Sequence, residues 1–110
     1  MNEAKFTPGP WKADESYCLG AVNAGKRHIA MVNLFVGRDD KTRVTREQQI
    51  ANSHLIAAAP DMYAALKMAE EFIVNGVECG YIRLPDADCH DPAHGTLPAI
   101  SLALAKARGE

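Results

Sequence analysis

A proline stands inside the longest helical pattern of the chain. From Thr45 to Asn75 small and apolar residues recur at spacings of three and four, and Pro60 falls near the middle. Proline has no amide hydrogen and its ring meets the carbonyl four residues back, here that of Ile56, which excludes an unbroken straight helix. The pattern therefore predicts two helices, about 45–59 and about 60–75, with Pro60 in the first turn of the second, where its missing donor has no partner to lose. Thr45 followed by Gln48 matches a capping box and sets the start; Asn75-Gly76 sets the stop. Ile50, Ala51, His54, Leu55, Ala57 and Ala58 make the apolar stripe of the first helix. Met62, Leu66, Ala69 and Ile73 make that of the second, with Tyr63 and Phe72 flanking. The alanines at 57–59 and 64–65 keep the helical surface thin, so backbones can approach closely there.

The flanks read differently. Pro8-Gly9-Pro10 fixes a turn and leaves Trp11 as the first large apolar anchor, after which Tyr17–Val22 reads as a short strand. Asn23-Ala24-Gly25-Lys26 supplies hairpin chemistry, and His28–Val36 returns with apolar residues on both faces. A strand covered on both sides belongs at the centre of a sheet. Gly37–Arg43 is a polar connector. After the helix pair, 77–96 is a loop with Tyr81, Ile82 and Leu84 as apolar plugs; Thr96 caps and Pro98 opens a last helix over 97–108, ended by Gly109. The expected fold class is α+β: an antiparallel β-meander of about three strands over 10–36, packed against the helix pair bent at Pro60 and a C-terminal helix. At 110 residues the chain is expected to form one domain.

Charge narrows the function classes. Twelve Lys and Arg against fourteen Asp and Glu give a formal net charge of −2 and leave no cationic excess for general nucleic-acid binding. No run approaches the roughly 18 apolar residues that cross a bilayer, and Met1–Phe6 lacks the basic-then-apolar pattern of a leader, so a cytoplasmic protein is expected. In that reducing setting Cys18, Cys79 and Cys89 are expected as free thiols.

The densest chemistry lies in Asp86–His94. Cys79, Cys89, His90 and His94 are the ligand types of a tetrahedral zinc site, but neither a CxxC pair nor an HExxH string is present, and Pro92 opposes a helix that would converge the histidines. An EF-hand loop needs glycine where Asp91 stands. A solvated acidic loop without metal or cofactor is expected. Ser53 and His54 point about 100° apart on a helix, so the histidine cannot act as that serine's base. GxSxG and phosphate-loop strings are absent, and the chain is read as a non-enzyme with His54 a core-edge histidine bonded locally. Asp61, in the first turn of the second helix, suits the helix dipole. Lys26, Arg27 and His28 at the hairpin, with Arg38, Lys41, Arg43 and Arg46 around the connector, form a basic edge suited to a small anionic ligand, diluted by Asp39, Asp40 and Glu47. The apolar 28–36 strand would gain from a partner chain, so a homodimer is expected.

Three stretches together carry a resemblance: Thr7-Pro8-Gly9-Pro10-Trp11, Ala51–Met62 with the core Leu55-Ile56-Ala57-Ala58-Ala59-Pro60-Asp61, and the tail Ala103–Glu110. The chain resembles a family of short phage and prophage proteins of unsettled function, whose members carry a TPGPW start and an AN.RLIAAAPDLLEAL helix. It departs from that pattern with His54 where the family shows Arg, and with Met62-Tyr63 where it shows Leu-Leu. The resemblance implies a phage-encoded accessory protein in a bacterial cytoplasm that interferes with host machinery or defence, its partner a host protein.

Overall fold

A computed structural model describes residues 4–32, 43–86, 90 and 92–110. Three strands, β1 (Lys12–Ala13), β2 (Ala21–Ala24) and β3 (Arg27–Met31), form one antiparallel sheet in the order β1-β2-β3. Three α-helices follow: α1 (Arg46–Ala57), α2 (Ala59–Glu78) and α3 (Thr96–Ala107), the last preceded by a 3-10 turn over Pro92–Gly95. The class is α+β, with a three-strand meander. The chain divides into two compact units, Thr7–Met62 and Tyr63–Glu110 with the stretch up to Phe6, the division falling inside α2.

In the first unit the hairpin closes through Gly25 and Lys26. Gly25 has φ +62° while Lys26 stays at negative φ, the signature of a two-residue turn with glycine first, and Ala24 pairs with Arg27. Ile29 is the extra residue of a bulge between the Val22–Ala30 and Asn23–His28 pairs. The expected order of burial is reversed here. The central strand is β2, whose Ala21 and Val22 are fully buried, whereas β3 lies at the edge with Arg27, His28 and Met31 exposed. Both neighbours of β2 cover it, and a strand with a free edge cannot be covered the same way. Residues 33–36 of the expected strand lie outside the described residues. The strand expected over Tyr17–Val22 begins only at Ala21, because the Asp14 carboxylate draws the amides of Ser16, Tyr17 and Cys18 out of any ladder.

The capping box of α1 is formed: Thr45 Oγ1 accepts from the Gln48 amide at 3.2 Å and Gln48 Oε1 accepts from the Thr45 amide at 3.0 Å. The helix ends at Ala57, and after the single residue Ala58 α2 starts with Pro60 in its first turn, as the missing donor requires. Its buried stripe, however, is Gln49, Ser53 and Ala57; Ala51, His54 and Leu55 are exposed. Gln49 determines this rotation. Its amide donates to the Val32 carbonyl at 2.8 Å, pinning α1 to the sheet end, and Ser53 donates to the Ile50 carbonyl within the helix.

In the second unit, α2 runs past Asn75-Gly76 to Glu78 and stops at Gly80, φ +82°. There the amides of Gly80 and Tyr81 return to the carbonyls of Val77 and Gly76, closing a Schellman motif. Gly76 is instead a packing residue: it is buried, and a Cβ there would collide with Ile82. Leu66, Ala69 and Ile73 are half-buried as expected, while Met62, of the first unit, is exposed. α3 starts without the expected Thr96 cap, because Gly95 already holds helical φ/ψ and the 3-10 turn runs straight into the helix. Gly109 closes its far end, with the Gly109 and Glu110 amides returning to Lys106 and Ala105. Leu104 is fully buried; Ser101 donates to Glu70 at 2.6 Å, Arg108 to the Tyr63 hydroxyl at 3.3 Å, and the Phe6 and Tyr63 rings meet edge-on at 5.1 Å.

Candidate functional site

The Pro-Gly-Pro-Trp turn and the α1–α2 junction meet within the first unit. A Cβ placed on Gly9 would lie 3.1 Å from the Pro60 Cβ, so glycine is what lets the turn approach the junction. Half-buried Trp11 donates its indole N–H to the Thr7 carbonyl at 3.0 Å, which fixes the ring relative to the turn. Beside it, His54, Ala57, Ala58 and Asp61 lie on one face across the junction, at the spacings that keep helical residues together. With Trp11, Lys12, Ala13 and Glu15 they line a shallow cleft of about 330 Å³. Ala57 is buried in it, and His54 Nε2 lies 3.0 Å from Glu15 Oε1 with both side chains exposed to solvent. His54 is thus locally bonded, at an exposed rim.

A second cleft, of about 520 Å³, opens along Lys12 to Ser16, Asn23 and Gly25. Asp14 organises it: Oδ1 accepts from the Ser16 and Tyr17 amides, both at 3.0 Å, and Oδ2 from the Cys18 amide at 3.1 Å. Those amides, Tyr17's foremost, hold the Asp14 carboxyl below its ordinary value. Tyr17 stands at the loop tip, 95% exposed. In the second unit, Leu84, Pro85, His94, Leu97, Pro98 and Ser101 line an apolar groove of about 420 Å³.

The expected basic edge is only partly within view. Lys26, Arg27 and His28 sit together, exposed, at the hairpin, with His28 Nδ1 2.7 Å from Asn23 Oδ1. Arg46 opens α1 and Arg43 precedes it, both exposed; Arg38 and Lys41 lie outside the described residues. None of the five described ones lines any of the three clefts. Of the four metal-type ligands, Cys79 is an exposed free thiol just past α2, His90 is exposed, His94 belongs to the apolar groove, and Cys89 lies outside the described residues. Among the described residues no three His, Cys, Asp or Glu side chains gather as a metal site. Cys18 is also a free thiol.

Sequence reasoning did not single out Gln49, Asp14 or the Trp11 cleft as a unit. An Asp two residues before Ser carries an Asx-turn signal that points to Asp14. Nothing local marks Gln49, whose partner is 17 residues away. Among the described residues no helix is long and apolar enough to cross a membrane. No curated protein and no solved structure matches the chain. The family model described as Salmonella phage P22 protein Y8K6 matches residues 1–110, and the chain belongs to that family.

Proposed function

We propose that this member of a phage protein family is a non-enzymatic accessory protein that binds a host bacterial protein through the outer face of α2 and interferes with it. The observation that carries the reading is a pair of large apolar side chains, Met68 and Phe72, one helical turn apart and about 70% and 71% exposed. An ordered helix presenting such a pair, with exposed Ala64 and Ala65 beside it, is the chemistry of a helix that lies in an apolar groove. Aromatic and methionine anchors are enriched at interface centres. Membership of a phage family makes a host protein the fitting owner of that groove.

Affinity capture from bacterial lysate, followed by reconstitution with the purified captured protein, tests this. Phe72→Glu is expected to weaken the reconstituted complex at least about tenfold, as loss of a hot-spot anchor does, while far-UV circular dichroism stays unchanged. An unaltered affinity overturns the reading. A second copy of the chain is the other candidate occupant, and it would show as a dimer in light scattering at micromolar concentration that Phe72→Glu dissociates.

A further inference from the structure

We propose that the host-protein groove receiving Met68 and Phe72 carries basic side chains along the flank that meets Glu71 and Glu78. The inference rests on the reading of the outer α2 face as the binding surface and names the chemistry of what binds there. All of these residues belong to the second unit. Glu71 follows Met68 by three residues and directly precedes Phe72, and Glu78 lies seven residues further on, so the two carboxylates make one row beside the apolar pair. Both are exposed, and neither has a hydrogen bond or an ion pair among the described residues, whereas the neighbouring Glu70 is held by Ser101. Glu78 also ends α2, where carbonyl dipoles already gather negative charge, and the last turn holds no basic residue. A lysine or arginine there would stabilise the free chain. A carboxylate breaks that local rule, and such breaks are expected where a surface serves binding. Lys67, exposed four residues before Glu71, balances one charge of the two. A cation on the bound protein supplies the missing compensation and steers the two surfaces together. The same charges narrow the occupant. A second copy crossing α2 at Phe72 about a two-fold axis would bring Glu71 towards its own counterpart. Anionic lipid and nucleic-acid phosphate carry the wrong sign as well.

The probe is the purified host protein obtained by capture, titrated against the full chain in sodium chloride from about 50 to about 500 mM. Glu71→Gln combined with Glu78→Gln is expected to weaken binding at least about five-fold at the lowest salt, through slower association, with the difference vanishing at the highest. Phe72→Ala is expected to act at every salt concentration and through faster dissociation, so the two contributions separate. Lys67→Gln, which removes a charge of the opposite sign from the same flank, is expected not to weaken binding. An affinity indifferent to the double replacement, or weakened equally at all salt concentrations, overturns the proposal. If Phe72→Ala still weakens binding in that case, the α2 surface stands and the basic flank alone falls; the reverse pattern refutes the apolar reading. The free chain gives a readout that needs no partner. Glu78→Gln is expected to raise its thermal midpoint by roughly 1 to 5 °C at low salt. A midpoint that stays or falls shows the carboxylate to be compensated already and overturns the proposal, as does a dimer of the chain that Phe72→Ala dissociates.

Discussion

At the scale of single residues, the buried polar contacts and the Asp14 carboxylate decide local geometry. Gly20 holds φ +92°, and a Cβ there would lie 2.5 Å from the Val32 carbonyl oxygen and 2.7 Å from Gln49 Nε2, so Gly20, Val32 and Gln49 form one interlocked contact. Both Gln49 donors face carbonyls, those of Val32 and, at 3.5 Å, Leu19, and Oε1 has no partner among the described residues. Asp14 titrates. Its folded value lies below 3.8, so the stability it supplies is fully present well above that value and is lost as pH falls through the depressed folded value. Asp14→Asn keeps one acceptor oxygen and no charge. Thermal unfolding followed from pH 6 to 2.5 is expected to show wild type above the variant at the upper end, with the gap closing as pH drops below about 4. A gap independent of pH would contradict this role. Position 14 carries an Asx-turn signal that the sequence reading passed over, and the three amides it captures depend on how the loop folds back, which composition does not encode.

At the scale of elements, local chemistry was readable wherever the partner lies within one helical turn. Thr45 with Gln48, the division at Pro60 and the stop at Gly109 all follow from steric and hydrogen-bond rules acting over a few residues. Gly76 shows where such rules end. Asn75-Gly76 has the composition of a helix terminus, but Ile82 occupies the space a side chain would need, and Gly80 four residues on takes the left-handed position. Gly76→Ala is therefore expected to destabilise by roughly 1 to 3 kcal/mol through overpacking, although alanine favours helix. Pairing it with Ile82→Ala is expected to relieve the collision, and urea unfolding of the four species measures the coupling. Independence of the two replacements would remove the contact as the reason for glycine. The rotation of α1 was hidden for a related reason: a glutamine satisfied by a distant carbonyl outweighs an apolar stripe, and only tertiary structure reveals that carbonyl.

At the scale of the whole molecule, each unit has, among the described residues, one large apolar side chain that is fully buried, Val22 in the first and Leu104 in the second. Leu104→Ala is expected to cost about 3 kcal/mol in chemical denaturation, the range for a buried leucine whose surroundings collapse only in part. Met68→Ala is expected within about 0.5 kcal/mol of wild type, because that side chain is 70% exposed. Equal effects would mean that Met68 is covered in solution, which a second copy of the chain would explain. The α+β class and strand count were legible because periodicity and turn residues report backbone conformation. Which strand lies at the centre was not, since burial depends on what neighbours a strand. The metal-type ligands and the basic edge were named from residue type and spacing, and Cys89, Arg38 and Lys41 among them lie outside the described residues. The turn at Gly9 sits against the ring at Pro60, half a chain away in sequence. Substitutions at these two positions are expected to be correlated across natural relatives: bulk gained at 9 should coincide with bulk lost at 60, a covariation that sequencing more phages can count.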